Sequence, residues 1–69
     1  MHVTVARVIL DRADIAFERK LWPQAAESYA IYLELIPNDV SSLSKAGRSY
    51  RELHMYEKAQ SLYEQAYKL

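Results

Sequence analysis

The side chains that could carry catalysis are two histidines, His2 and His54, and serines at positions 41, 42, 44, 49 and 61. A histidine activates a hydroxyl only within hydrogen-bond reach, and zinc-binding histidines on one helix need a second ligand close in sequence. No histidine or cysteine follows either histidine three or four residues later, and no plausible base lies near the serines. Gly47 is the only glycine, which excludes a glycine-rich phosphate loop. The sequence therefore predicts no enzyme, no cofactor and no metal site.

Charged side chains offer a second kind of chemistry, which is recognition. Lys45, Arg48 and Arg51 follow one another at intervals of three residues and could bind an acidic peptide. The whole chain has nine basic and nine acidic residues, so no general attraction to nucleic acid or to an anionic membrane is expected. The spacing of the tyrosines is typical of a core and not of a surface that stacks bases. A protein or peptide is therefore the predicted partner, with no nucleic acid and no membrane insertion.

Size and composition predict one small domain over residues 1–69. Cysteine is absent, which excludes a disulfide framework and is compatible with a reducing compartment. No apolar run approaches the length of a membrane span, and the first residues lack a basic segment followed by a long apolar stretch. A cytoplasmic location is the prediction that follows.

Helical periodicity dominates the elements that must position these side chains. Apolar residues recur three and four positions apart nearly throughout, and strict alternation never lasts for the length of a strand. Pro23 suits the first turn of a helix, Pro37 ends another, and Asp39 suits the N-cap of the next. The predicted helices span about 4–20, 22–36, 40–53 and 56–69. Because the connections are short, consecutive helices should pack antiparallel.

A repeat of 34 residues organises the chain. The segment 21–29 has the same order of residue classes as the segment 55–63, namely aliphatic, aromatic, two polar or turn residues, alanine and, after three variable positions, tyrosine. Leu35 and Leu69 keep the same offset. A fixed period of this length indicates stacked supersecondary units, each of which buries its apolar face against a neighbour.

The repeated residues resemble the tetratricopeptide repeat family over nearly the whole chain. The second copy, about 40–69, matches the family pattern at Leu43, Ala46, Gly47, Tyr50, Ala59, Tyr63 and Ala66 and stops before the expected terminal proline. In the first copy, about 6–39, the equivalent positions hold Ile9, Arg12, Ala13, Ala16, Ala25, Tyr29 and Tyr32. The terminal proline of the pattern is Pro37. The resemblance implies an all-α fold in which two antiparallel helical hairpins, four helices in all, stack as a short right-handed α-solenoid.

The chain departs from the family pattern at four positions. Arg12 stands where leucine is usual, and Ala16 stands where tyrosine is usual. Lys20 and His54 replace the glycine that often follows the first helix of each hairpin. Glycine is favoured there because it adopts left-handed backbone conformations without steric cost. We therefore expect these two turns to be either strained or not left-handed.

In this family the first helix of each hairpin lines a concave groove that binds a peptide or a partner helix. The candidate groove residues are Arg7, Leu10, Asp14, Phe17, Lys45, Arg48 and Arg51. Two questions stay open. Asp11 and Asp14 occupy the repeat positions of Lys45 and Arg48, so these charges either bridge the two repeats or leave a basic stripe for an acidic peptide. Leu10 and Phe17 either hold an apolar anchor of the peptide or pack beneath a neighbouring repeat or another chain.

Two repeats form an incomplete stack, because repeat arrays usually need three or more units and polar capping faces. An apolar stripe is expected on the last helix, at Leu62, Ala66, Tyr67 and Leu69. The chain is then either a piece of a longer array or a unit that associates with itself. The predicted function is a non-catalytic protein–protein interaction module that binds a peptide or helix in its groove. The alternative is a structural module whose open repeat faces mediate homo-oligomerisation or hairpin exchange.

Overall fold

The computed structural model describes the backbone of residues 2–68 and the side chains of residues 4–68. It contains four helices: α1 (His2–Glu18), α2 (Trp22–Leu35), α3 (Val40–Glu52) and α4 (Tyr56–Lys68). Each described boundary lies within two residues of the predicted one. Contacts join α1 to α2, α2 to α3 and α3 to α4. The predicted all-α fold of two stacked helical hairpins is confirmed, whereas its right-handed sense stays a prediction.

The two turns inside the hairpins are left-handed, with φ of 60° at Lys20 and 63° at His54. At the first turn, the amide of Lys20 donates to the carbonyl of Phe17 and the amide of Leu21 donates to that of Ala16. These are the two hydrogen bonds of a Schellman motif, which satisfies the last carbonyls of a helix. Both lysine and histidine therefore adopt the conformation for which glycine is preferred. We expected these turns to be either strained or not left-handed, and they are strained left-handed turns.

Asp39 joins α2 to α3. It occupies the N-cap position of α3 with an extended backbone, as expected, but its carboxylate makes no hydrogen bond to the helix amides. Its Oδ2 atom instead accepts hydrogen bonds from the Tyr32 hydroxyl at 3.1 Å and the Ser42 hydroxyl at 2.9 Å. The expected capping bond is thus replaced by a contact between the two hairpins, because the side chains of Tyr32 and Ser42 both reach this oxygen.

Small residues bring the helices close together. The core cluster consists of Ala13, Ala16, Ala25, Tyr29 and Ala46, and Leu10, Phe17, Leu33 and Leu62 pack against it. One large aromatic ring surrounded by alanines allows close approach of the backbones. The molecule is a thin slab, with principal extents of 33 × 28 × 14 Å. Every helix therefore exposes part of its surface.

The buried polar side chains are satisfied within the described part of the chain. Ser42 donates to Asp39, and Ser49 donates to the Lys45 carbonyl at 2.9 Å. Within residues 4–68, no buried side-chain nitrogen or oxygen lacks a hydrogen-bond partner. None of the four helices, over the length that the structure describes, is long and apolar enough to cross a bilayer.

Candidate interaction surface

Asp14 links both hairpins through one carboxylate oxygen. Its Oδ1 atom accepts a hydrogen bond from the Tyr29 hydroxyl of α2 and lies 3.3 Å from Lys45 Nζ of α3. A salt bridge between the repeats, one of the two open alternatives, therefore forms at Asp14 and Lys45, whereas Asp11 pairs with Arg7 and Arg48 with Glu52. Burial, together with the bond to Asp14, raises the pKa of Tyr29 well above its ordinary value. Tyr29 stays protonated near neutral pH and is the donor in this pair.

Phe17 lies between aromatic rings of its own hairpin and a lysine of the next. Its ring meets Trp22 edge-on with centroids 5.6 Å apart and Tyr29 edge-on at 6.2 Å. Lys45 Nζ lies 5.8 Å from the centroid of the same ring, in a cation–π arrangement. Phe17 is half-buried and packs against the core. Its aromatic contacts lie within its own hairpin, and the role of Phe17 as a peptide anchor stays a prediction.

Arg48 and Arg51 point to different parts of the surface. Arg48 Nε lies 3.6 Å from Glu52 Oε2, and the Arg48 guanidinium stacks over Trp22 at 5.6 Å from the ring centroid. Arg51 is exposed and lines a shallow hollow with residues of α4, among them Tyr56, Tyr63 and Tyr67. The basic residues of α3 thus do not form one continuous stripe, because Lys45 and Arg48 turn toward the first hairpin.

Arg7 and Leu10 line a single hollow of about 400 Å³ beside the first turns of α1. Its other walls are mostly apolar and come from the end of α2 and from α1, namely Thr4, Ala6, Val8, Tyr32 and Ile36. Leu10 is half-buried, and the Arg7 side chain is 76% exposed. Arg7 Nε lies 3.7 Å from Asp11 Oδ1, an exposed pair that contributes little stability. The structure therefore leaves Arg7 accessible at the rim of an apolar depression.

A second hollow, of about 340 Å³, lies between α2 and α4. Its floor contains Ala30, Leu33, Ala46 and Leu62, and polar residues such as Lys58 and Gln65 also line it. The sequence did not predict this feature, because its walls come from three helices that meet only in the stack. The small residues at positions 30 and 46 are the signal in the sequence that could have indicated it.

The four residues expected to form an apolar stripe on the last helix differ in exposure. Tyr67 is 87% exposed, Ala66 is half-buried, and Leu62 packs inward against the core. Leu69 lies outside the described residues. Tyr67 is therefore the main apolar group that α4 presents to solvent in the described part of this stripe.

Among the candidate catalytic side chains that the structure describes, His54, Ser42 and Ser49 do not hydrogen-bond to one another. His54 Nδ1 hydrogen-bonds with the Tyr56 hydroxyl at 2.7 Å on an exposed turn. Ser42 and Ser49 are buried and bonded to Asp39 and to backbone, respectively. In the region covered by the structure, no three histidine, aspartate or glutamate side chains cluster in a way that could hold a metal ion.

Searches with the whole sequence and structure give no relative from which a function could be transferred. No family model, curated protein or solved structure matches this chain. The resemblance to tetratricopeptide repeats thus stays a prediction from the residues of the chain itself.

Proposed function

We propose that the chain is a non-catalytic protein–protein interaction module of the tetratricopeptide type that binds a peptide or a partner helix across α1 and α3. Two observations support the family assignment. The left-handed turns at Lys20 and His54 lie 34 residues apart, and each has the same pair of backbone hydrogen bonds. The small residues at two equivalent positions of the repeats, Ala13 with Gly47 and Ala25 with Ala59, are all buried.

The hollow lined by Leu10 and Arg7, whose walls come from α1 and the end of α2, is the observation that carries the groove function. Its mostly apolar walls suit one large aliphatic or aromatic side chain, and the exposed guanidinium of Arg7 can bind a neighbouring carboxylate. Lys45 and Arg48 add less to the recognition of a charged peptide, because their side chains are 38% and 47% exposed and that of Arg7 is 76% exposed. The partner class that fits is a peptide with one apolar anchor next to an acidic residue.

A selection from a random peptide library displayed on phage tests this function. We expect selected peptides to carry an apolar residue next to Asp or Glu. Reversing the charge with Arg7→Glu should weaken their binding roughly tenfold, as expected for a lost ion pair that becomes a repulsion. Arg12→Glu is the matched control, because Arg12 is also exposed on α1 but does not line the hollow. Equal losses in both variants, or in neither, would contradict the groove assignment.

A second candidate function, self-assembly, is favoured by a difference between the repeats. Leu33 of α2 is half-buried and packs against the core. Tyr67 occupies the same position one repeat later on α4, and it is 87% exposed. A large aromatic side chain at a position that is covered in the other repeat indicates a surface that a further helix can cover.

A further inference from the structure

The two hairpins pack against each other through one side of α2 and one side of α3. On α3, Ser42 hydrogen-bonds to Asp39 together with Tyr32 of α2, and Ala46 lines a hollow together with Ala30 and Leu33 of α2. Both α3 residues, and Ser49 on the same side, are buried. The internal interface between the hairpins is therefore a template for how one repeat packs against the next.

On α1, the corresponding side is exposed. The residues one repeat before Ser42 and Ser49 are Val8, which is 50% exposed, and Ile15, which is 52% exposed. Arg12, one repeat before Ala46, is also exposed. Within the described chain, no helix covers this side of α1 as α2 covers α3.

On α4, the side that corresponds to the α3-facing side of α2 is also exposed. The counterparts of Ala30 and Leu33 are Glu64 and Tyr67, both of which are exposed. The molecule thus has two complementary halves of one type of interface, one at each end of the stack. We propose that the α4 face of one copy binds the α1 face of a second copy, head to tail, in the register of the α2–α3 contact.

The charges support a second copy as the occupant. The ion pair between the repeats joins Asp14 to Lys45 at 3.3 Å. In the proposed register, the counterpart of Asp14 is Arg48 of one copy, and the counterpart of Lys45 is Asp11 of the next. On association, Arg48 exchanges its contacts with Trp22 and Glu52, and Asp11 its contact with Arg7, for this pair. The sign of the charge is reversed at both positions, so the pair remains attractive. A reversal at only one of them would have brought like charges together.

Two further sets of counterparts are complementary. Ala30 and Ala46, which line one hollow, become Glu64 of one copy and Arg12 of the next, which are oppositely charged. At the internal interface, Tyr32, Asp39 and Ser42 form a hydrogen-bonded polar cluster. Their counterparts between two copies are all apolar: Ala66 of one copy replaces Tyr32, and Val5 and Val8 of the next replace Asp39 and Ser42. In each set, all members change in character together. The contact between two copies therefore buries neither an unpaired charge nor a polar group without a hydrogen-bond partner.

This contact joins two different faces, so it is heterologous, and repeated addition of copies extends the stack as one continuous array of hairpins. The inference deepens the second candidate function, self-assembly, by naming the two faces and their register. It does not require the groove function, although the two surfaces share Val8, which lines the hollow beside Arg7 and also lies on the α1 face.

Charge exchange tests the register. Molar mass is measured by sedimentation across concentrations for the wild type, Asp11→Lys, Arg48→Glu, the double variant, and an equimolar mixture of the two single variants. Each single variant should associate about tenfold more weakly, because an attractive pair becomes repulsive. The double variant and the mixture should both recover association, since each restores an opposite pair at the contact. Lys58→Glu is the matched control and should associate like the wild type, because Lys58 is exposed on α4 but lines the internal hollow and not the face that carries Glu64 and Tyr67.

The possible results separate the two ideas. Association that is lost in the single variants and recovered in the mixture supports the register. Association that is insensitive to all these charges overturns the register and leaves self-assembly standing. A wild-type chain that is monomeric at every concentration overturns both. Circular dichroism of each variant verifies that the helices are intact, so a loss of mass reports association and not unfolding.

Discussion

Lys20 and His54 have the same left-handed backbone conformation, with φ of 60° and 63°, at equivalent positions of the two repeats. Around them the hydrogen bonds also repeat, because the amides of Leu21 and Met55 both donate 2.9 Å bonds to the carbonyls five residues earlier. The backbone therefore requires a left-handed residue at each site, although neither side chain favours it. For a residue with a Cβ atom this conformation costs about 1–2 kcal/mol.

Replacing Lys20 by glycine should stabilise the fold. Glycine removes the steric strain of the left-handed turn, but it also gives the unfolded chain more conformational freedom, which offsets part of the gain. The net expectation is an increase of about 0.5–1 kcal/mol in the free energy of unfolding, measured by urea denaturation. Arg19→Gly is the control, because Arg19 does not have a positive φ, and it should destabilise the protein.

Removing the carboxylate of Asp14 should destabilise the fold more than removing the charge of Lys45. In Asp14→Ala, the hydroxyl of the fully buried Tyr29 loses its acceptor, which costs about 1–3 kcal/mol. In Lys45→Met only a partly exposed ion pair is lost, which costs about 0.2–1 kcal/mol. Urea denaturation of both variants gives the comparison.

A second substitution separates the hydrogen bond of Tyr29 from the charge of Asp14. Tyr29→Phe in the Asp14→Ala background removes the unsatisfied hydroxyl, so it should recover part of the lost stability. The effect of Tyr29→Phe on the free energy of unfolding is compared between the wild type and the Asp14→Ala background. If it were equally destabilising in both, the two groups would not be coupled.

Alkaline pH should destabilise the fold through Tyr29. Burial and the bond to Asp14 raise the pKa of Tyr29 in the folded state above its ordinary value of 10.0, which we take for the unfolded state. The resulting stabilisation is fully present below pH 10 and is lost as the pH rises toward the folded pKa, because the unfolded chain ionises first. Each buried tyrosine of this kind lowers the free energy of unfolding by about 1.4 kcal/mol per pH unit.

Denaturation with urea at increasing pH measures this effect. Tyr29→Phe is the control: its free energy of unfolding should fall less steeply above pH 10 than that of the wild type. Burial and the bond to Asp39 also raise the pKa of Tyr32, so some slope should persist in the control. Identical slopes in the two proteins would show that Tyr29 does not titrate differently in the folded and unfolded states.

The fold was predictable from the sequence because its determinants are local. Helical periodicity and Pro23 specify the helices, and the 34-residue period specifies how the hairpins stack. The turn at Lys20 was harder to predict, since its side chain gives no sign of a left-handed conformation. There the hydrogen bonds that end the helix override the preference of the residue.

The partners of the surface side chains were less predictable. Comparing the two repeats gave a bridge between them as one of two alternatives, but it did not give the pair that forms, Asp14 with Lys45. The stacking of Arg48 over Trp22 and the bond from Tyr32 to Asp39 did not follow. Long side chains reach several neighbours, and only the tertiary arrangement determines which of them is in range.

Substitution of Gly47 by alanine should stabilise the protein. Gly47 lies inside α3, where glycine is less favourable than alanine by about 0.5–1 kcal/mol. An added Cβ atom would lie 3.1 Å from the ring of Tyr63, which must move by a few tenths of an ångström. Tyr63 is half-buried and can move, and at the equivalent site of the first repeat Ala13 is accommodated in the same core cluster as the fully buried Tyr29.

The same substitution distinguishes a flexible tyrosine from a fixed one. With Tyr63 free to shift, thermal or urea unfolding of Gly47→Ala should show a gain of up to about 1 kcal/mol. Gly47→Val is the control, because its larger side chain exceeds what a small shift of the ring can accommodate, and it should be destabilising. A loss of stability in Gly47→Ala would mean that the ring of Tyr63 is held in place, and that the close approach of α3 and α4 requires glycine.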